Sequence, residues 1–306
     1  MQFKTVALAL GFSAFIATAP AFAANVVASI KPVELLVKAV AGDSVNVSTL
    51  VPPGSSPHSY NMRPSQRRAL EQADLIFWIG PEMETFLHRL LTGSEFVDRT
   101  VAFTDVSETL NKGDHDNKQD QSHGHHHGHH HDHGDGDDPH IWVDPELARQ
   151  MARNIHARLL TLNDLDKAEL DANLARFEAK LTEAESNIRS RLAQASDIGL
   201  FAYHSAFEPF AEHYGLTLEG VLTLNPELSP GARHIAEVQQ KLQQANQPCL
   251  LTEPQFNRQW WRSITEGLDV TFSSWDPLAT NIESNADGYI SFQNSIADAV
   301  INCLPQ

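Results

Sequence analysis

The sequence predicts an α/β protein of two lobes, each with a mostly parallel sheet, joined by a long rigid backbone helix. Three observations predict it. Short apolar runs alternate with amphipathic stretches before residue 163. One unbroken helical stripe follows, and the alternation restarts beyond residue 194. The 306 residues suit two domains of ordinary size.

The first 23 residues carry Lys4, a short apolar stretch and then Ala21-Phe22-Ala23. That order is a secretory signal with a small-residue cleavage site, so the mature chain is expected to begin at Ala24. A retained membrane anchor is the competing reading, but the apolar stretch is short and ends in small residues. No Cys lies near the cleavage point, which argues against a lipid anchor. Later apolar runs all fall short of the roughly 20 residues that span a bilayer.

The N-terminal lobe, residues 24–163, opens on the strand-like VVASI, the helical VELLVKAVAG and a second strand, VNVSTLV. The turn-rich PPGSSPHSYNMRPS leads into a helix near 65–72 and the strand DLIFWIG. An insert over about 112–138 interrupts the lobe, and PHIWVDPE then starts a helix near 145–160. Over 164–194, Leu170, Leu174, Phe177, Leu181, Ala184 and Ile188 recur at spacings of three and four, with Asn163 or Asp164 available as cap. The stripe is too short for a sustained coiled coil and reads as a helix of roughly 45 Å packed across both lobes. In the C-terminal lobe, 195–306, the runs IGLFAYH, TLEGVLTL, CLLTEP and VTFSSWDP alternate with helices near 231–246, 257–267 and 286–302.

Two cysteines occur, Cys249 and Cys303. In an oxidising compartment one disulfide is the economical reading, with two separate buried thiols as the alternative. Closing a loop of about 50 residues contributes on the order of 4 kcal/mol in the chain-entropy model. The net charge of −17 argues against nucleic acid or an anionic membrane surface as partner.

Part of that charge lies in a tract that also holds His115, His123, His125, His126, His127, His129, His130, His131 and His133, nine of the 16 histidines. Neutral imidazole is the commonest transition-metal ligand, and the tract has no apolar residue to bury. It reads as an accessory, lower-affinity metal collector or sensor rather than an ordered site. Its Asp content and mid-chain position argue against an affinity tag.

Among the other seven histidines, His58 lies in a turn after a strand, His140 directly before Trp142 and a helix start, and His204 at the end of an apolar strand. Ligand sites in open α/β sheets collect at the carboxyl ends of strands, so these three are placed to converge. His88, His156, His213 and His234 fall within or beside helical patterns and read as ordinary surface or core residues. Asp276, in SSWDPLATN, is the candidate carboxylate, although Asp-Pro often marks only a turn. Three imidazoles and a carboxylate suit tetrahedral Zn²⁺, whereas Mn²⁺ favours more carboxylate. Four protein ligands leave little room for substrate water, which favours holding metal over catalysis.

These residues carry a family resemblance. VVASIKPVELLVKAVAG, LVPPGSSPHSYNMRPSQ, ADLIFWIGPEME, the acidic histidine tract, DPHIWVDPELA, FAYHSAFEPFAEHYGL, LTEPQF and WDPLATN together resemble the periplasmic metal-binding proteins of ABC importers in the cluster A-I family, and most of all its zinc-uptake members. The resemblance spans essentially the whole mature chain. It implies two α/β lobes on a backbone helix with metal in the interlobe cleft, and places the metal ligands on His58, His140 and His204. In manganese-type members the third position is usually Glu, so His204 points to zinc. Some zinc-type members carry a completing Glu just before the first His, where this chain has Pro57. Asp276 matches the fourth ligand of other members, with water or a tract histidine as alternatives. The zinc-type disulfide matches Cys249 and Cys303.

The expected function is capture of Zn²⁺ in the periplasm by a monomer that delivers it to an inner-membrane ABC permease with a cytoplasmic ATPase. Affinity is expected to fall below about pH 6.5, where free imidazole protonates. A manganese or other divalent-metal binding protein is one alternative, and a metal buffer or chaperone without an importer is another. A zinc hydrolase would need a base beside the metal and typically a motif such as HExxH, which is absent. Glu208 is its nearest candidate base.

Overall fold

A computed structural model describes residues 23–104, 138–223, 230–256, 261 and 264–305. All but the last residue of the signal segment expected over 1–23, all nine tract histidines and most of the helix expected over 257–267 lie outside the described residues.

The first sheet comprises β1 (Ala24–Ala28), β2 (Val45–Thr49), β3 (Leu75–Trp78) and β4 (Thr100–Ala102). Its order is β2-β1-β3-β4, and every pairing is parallel. Helices α1 (Lys31–Ala41), α2 (Pro64–Gln72) and α3 (Thr85–Leu91) connect or flank these strands. Both α1 and α2 start on a Pro in the first turn, where the missing N–H has no intrahelical acceptor in any case. The sequence pattern does not reveal α3 or β4, which are only seven and three residues long. Elements that short hold too few periodic positions to stand out from a loop.

Helix α4 (Pro145–Leu159) turns back into the connector α5 (Lys167–Leu192). Asp166 caps α5 by accepting from the backbone N–H groups of Ala168 and Glu169, so the helix starts later than the expected Asn163 or Asp164 cap. It runs 26 residues, about 39 Å at 1.5 Å per residue, and a 3₁₀ turn (Ala193–Ala195) extends it. Leu170, Phe177, Leu181, Ala184, Ile188 and Leu192 form its buried stripe. Asn173 joins that stripe and donates Nδ2–H to the Val40 carbonyl of α1 at 3.1 Å.

The second sheet repeats the first. Strands β5 (Leu200–His204), β6 (Leu218–Thr223), β7 (Cys249–Thr252) and β8 (Thr271–Ser274) lie in the order β6-β5-β7-β8, again all parallel. Helices α6 (Glu208–Tyr214), α7 (Ala232–Gln244) and α8 (Gly288–Ile301) belong to this half. The α8 helix also crosses to the other lobe and packs on α1 as well as α5. Gly288 permits this, because a Cβ there would sit 2.7 Å from Leu35 Cδ2 and 2.6 Å from the Glu283 carbonyl oxygen. One buried apolar cluster therefore runs from β1, α1 and β3 through α4 and α5 to β5, β7 and α8. A core shared in this way couples the two lobes. Cys249 and Cys303 form the expected disulfide, with Cα atoms 5.8 Å apart.

Candidate metal centre

Parallel strands send their connections out at the carboxyl ends, and the two sheets bring those ends toward a common cleft. His204 is the last residue of β5, followed at once by a 3₁₀ turn (Ser205–Phe207). His58 lies on the turn-rich stretch between β2 and α2, where Gly54 adopts φ +76°. A side chain there would be strained, so this glycine sets the course of the loop. His140 precedes a 3₁₀ turn (Ile141–Val143) that is tied to the C-terminal half by three buried hydrogen bonds. Trp142 Nε1–H donates to the Pro277 carbonyl at 2.8 Å, Tyr289 O–H to the Trp142 carbonyl at 2.9 Å, and Gln293 Nε2–H to the Val143 carbonyl at 3.0 Å.

The three imidazoles meet. His140 Nε2 is 3.3 Å from His58 Nε2 and 3.1 Å from His204 Nε2, and the ligand atoms of all three lie within 4.8 Å of one another. A tetrahedron with Zn–N bonds of about 2.0–2.1 Å has edges of about 3.3 Å, so two of these separations match a shared zinc ion. The cavity they line, with Pro57, Trp142, Glu253, Gln255, Phe256, Pro277 and Leu278 among the other walls, holds about 20 Å³. That is room for one ion or water and not for an organic substrate. Glu208 is not among the described residues lining it.

Behind two of the rings stand carboxylates. Asp138 Oδ1 accepts from both the backbone N–H of His140, at 2.8 Å, and its Nδ1–H, at 2.6 Å. Glu253 Oε1 accepts from His204 Nδ1–H at 2.8 Å. A proton on Nδ1 leaves the Nε2 lone pair free for metal. Burial holds His58 down at about 3, helped by the neighbouring His140 and His204 rings and opposed by Asp138. Burial likewise lowers His140, against the pull of Asp138. Burial works against the ionised form of Asp138, yet its hydrogen bonds and attraction to His140 keep its carboxyl below the usual range. His58 and His140 are therefore neutral and ready for metal at ordinary pH. At His58, proton competition sets in well below the expected 6.5, because a buried cluster resists the positive charge that a free imidazole accepts.

The fourth expected residue is placed differently. The ligand atoms that converge among the described residues belong to His58, His140 and His204, without Asp276. Asp276 Oδ1 accepts from Gln255 Nε2–H at 2.6 Å and Leu278 N–H at 2.9 Å, while Oδ2 accepts from Thr280 N–H at 2.8 Å. Its carboxylate thus holds the turn that follows β8, the alternative meaning of an Asp-Pro pair. Glu253, at the carboxyl end of β7, was not singled out by the sequence pattern. The rule that selected His204 at the end of β5 applies equally to the Glu in CLLTEP. His88, His156, His213 and His234 stay outside the cluster, as expected. His156, for example, pairs with Asp171 at 2.8 Å, and His213 with Glu185 at 3.0 Å.

Comparison with known proteins identifies the family. Residues 26–303 match the family model described as zinc-uptake complex component A, periplasmic. A high-affinity zinc uptake system protein ZnuA of Yersinia pestis is 36% identical over 291 residues, covering 92% of this chain and 91% of that protein. Its counterpart from Haemophilus influenzae is 30% identical over 325 residues, covering 95% and 96%. A crystal structure of ZnuA superimposes with a TM-score of 0.70 at 22% identity, covering 91% of this chain and 99% of the other, which supports the fold. The chain belongs to the family of periplasmic zinc-uptake component A.

Proposed function

We propose that this protein captures Zn²⁺ in the periplasm and delivers it to an ABC importer, with His58, His140 and His204 as its ligands. The observation that carries this reading is the convergence of three Nε2 atoms, two of the separations being 3.1 and 3.3 Å. Family membership supports zinc as cargo and a transport role without catalysis. The importer supplies a membrane permease and an ATPase. The binding protein itself acts as a monomer whose lobes, 24–163 and 195–306, are joined by the 164–194 connector. Among the described residues no helix is long and apolar enough to cross a membrane.

The histidine tract serves as an accessory, lower-affinity collector. It ends at Asp138, which holds His140. Metal competition tests both parts of the proposal. The mature protein with 115–133 deleted is dialysed against Zn²⁺, Mn²⁺, Ni²⁺ and Cu²⁺, and the retained metal is measured. One tightly held Zn²⁺ is expected, with lower total stoichiometry than the full chain. Preference for Mn²⁺ over Zn²⁺ overturns the zinc reading, and loss of the tight site makes the tract primary.

A further inference from the structure

Three imidazole ligands would bring a dication no negative charge of their own. Glu253 is 2% exposed and lies directly behind His204. Its Oε1 accepts a hydrogen bond from His204 Nδ1–H, while its buried Oε2 has no hydrogen-bond partner among the described residues. A buried carboxylate with one oxygen unsatisfied is unfavourable unless a positive charge lies nearby. Glu253 lines the same cavity as the three imidazoles and acts electrostatically on His140 as well. It follows β7, and among the described residues it caps no helix, whereas Asp276 satisfies a turn with both oxygens.

We propose that Glu253 is a positioning residue of the metal centre, which fixes His204 as the Nδ1–H tautomer and supplies negative charge that neutral ligands lack. This rests on the three-imidazole reading above. Glu253 touches the ion only through His204, and Asp138 stands in the same relation to His140. With Zn²⁺ bound, the two carboxylates balance its charge without entering its coordination sphere.

The test uses the full mature chain. Glu253→Gln keeps an acceptor opposite His204 and removes the charge, while Glu253→Ala removes both. Zinc affinity of the tight site, read by chelator competition, is expected to fall about 10–100-fold in the Gln variant and at least as far in the Ala variant. Glu253→Asp should recover part of the loss. The visible bands of Co²⁺ bound in the site should change in the Gln variant, a signature that a remote packing defect does not produce. In the unsubstituted protein, ¹⁵N NMR should show the His204 proton on Nδ1 with and without zinc. A proton on Nε2 in the metal-free protein overturns the inference even if every variant misfolds. Affinity within about twofold of wild type in Glu253→Gln also overturns it, provided that His204→Ala abolishes tight binding. Tight binding retained in His204→Ala overturns the three-imidazole reading itself.

Discussion

His140 and His204 stand with their Nε2 atoms 3.1 Å apart although 64 positions separate them and the whole of α5 lies between. The two rings come from opposite sides of the connector. Their meeting therefore depends on how the halves pack, and that packing is held by the shared core and by the bonds from Trp142, Tyr289 and Gln293.

Asp276 and the histidines should separate cleanly on mutation. His204→Ala is expected to lower zinc affinity by more than about a hundredfold, beyond the usual cost of losing an outer-shell partner. Asp276→Ala removes the acceptor for two backbone N–H groups and Gln255, and should cost about 1–2 kcal/mol of stability with a much smaller change in zinc affinity. Chelator competition and urea unfolding measure the two quantities. An affinity loss equal to that of His204→Ala would put Asp276 on the metal.

The low value at His58 makes a prediction about acid. An imidazole that ordinarily titrates near 6.5 is held at about 3 in the folded protein. Between those values the unfolded chain binds the proton and the folded chain does not. Stability of the metal-free protein from this group is therefore complete above 6.5 and declines as pH falls toward 3. Melting curves should show this decline, made shallower by His58→Gln. The share of proton competition for zinc that comes from His58 should therefore appear only well below 6.5, and a His58→Gln variant with an unchanged acid limb of zinc affinity would show that His58 does not contribute to it.

Glu84 works with the opposite sign. It is fully buried, its oxygens accept from the backbone N–H groups of Ile79 and Gly80, and burial pushes it up to about 7 despite those bonds. The folded state keeps its proton between 4.5 and 7, where the unfolded state releases it. Its contribution is present below 4.5 and lost as pH rises through 7, on the order of 3 kcal/mol in total. Glu84→Gln should remove this slope, as read by urea unfolding of the variant across pH 4–8, whatever it costs by setting an amide nitrogen against a backbone N–H. An unchanged slope would show that Glu84 is ionised in the fold throughout.

The disulfide should matter for stability and not for the site. Cys249 begins β7 while Glu253 follows its end, so the bridge to Cys303 lies at the far end of the strand from the histidines. Reduction is expected to cost about 2–5 kcal/mol while leaving zinc affinity unchanged within a few-fold. Thermal melting and chelator competition with and without reductant check the two halves of this statement.

The sequence by itself determined the strand–helix alternation, the connector and the three histidines. Each is written in a local signal: period-two or helical patterning, an uninterrupted stripe, a His in the turn after an apolar run. Such signals need only near neighbours in the chain, because backbone hydrogen bonding and burial of one face act over a few residues. The start of α5 was less legible, since Asn163, Asp164 and Asp166 are all competent caps and the folded chain uses the last. The role of each carboxylate was decided by tertiary structure alone. Asp276 and Glu253 both follow apolar strands, yet one closes a turn through Leu278, Thr280 and Gln255 while the other backs a ring 49 positions away. A buried carboxylate goes to the donors that its surroundings leave unsatisfied, and only the folded chain brings those donors to it.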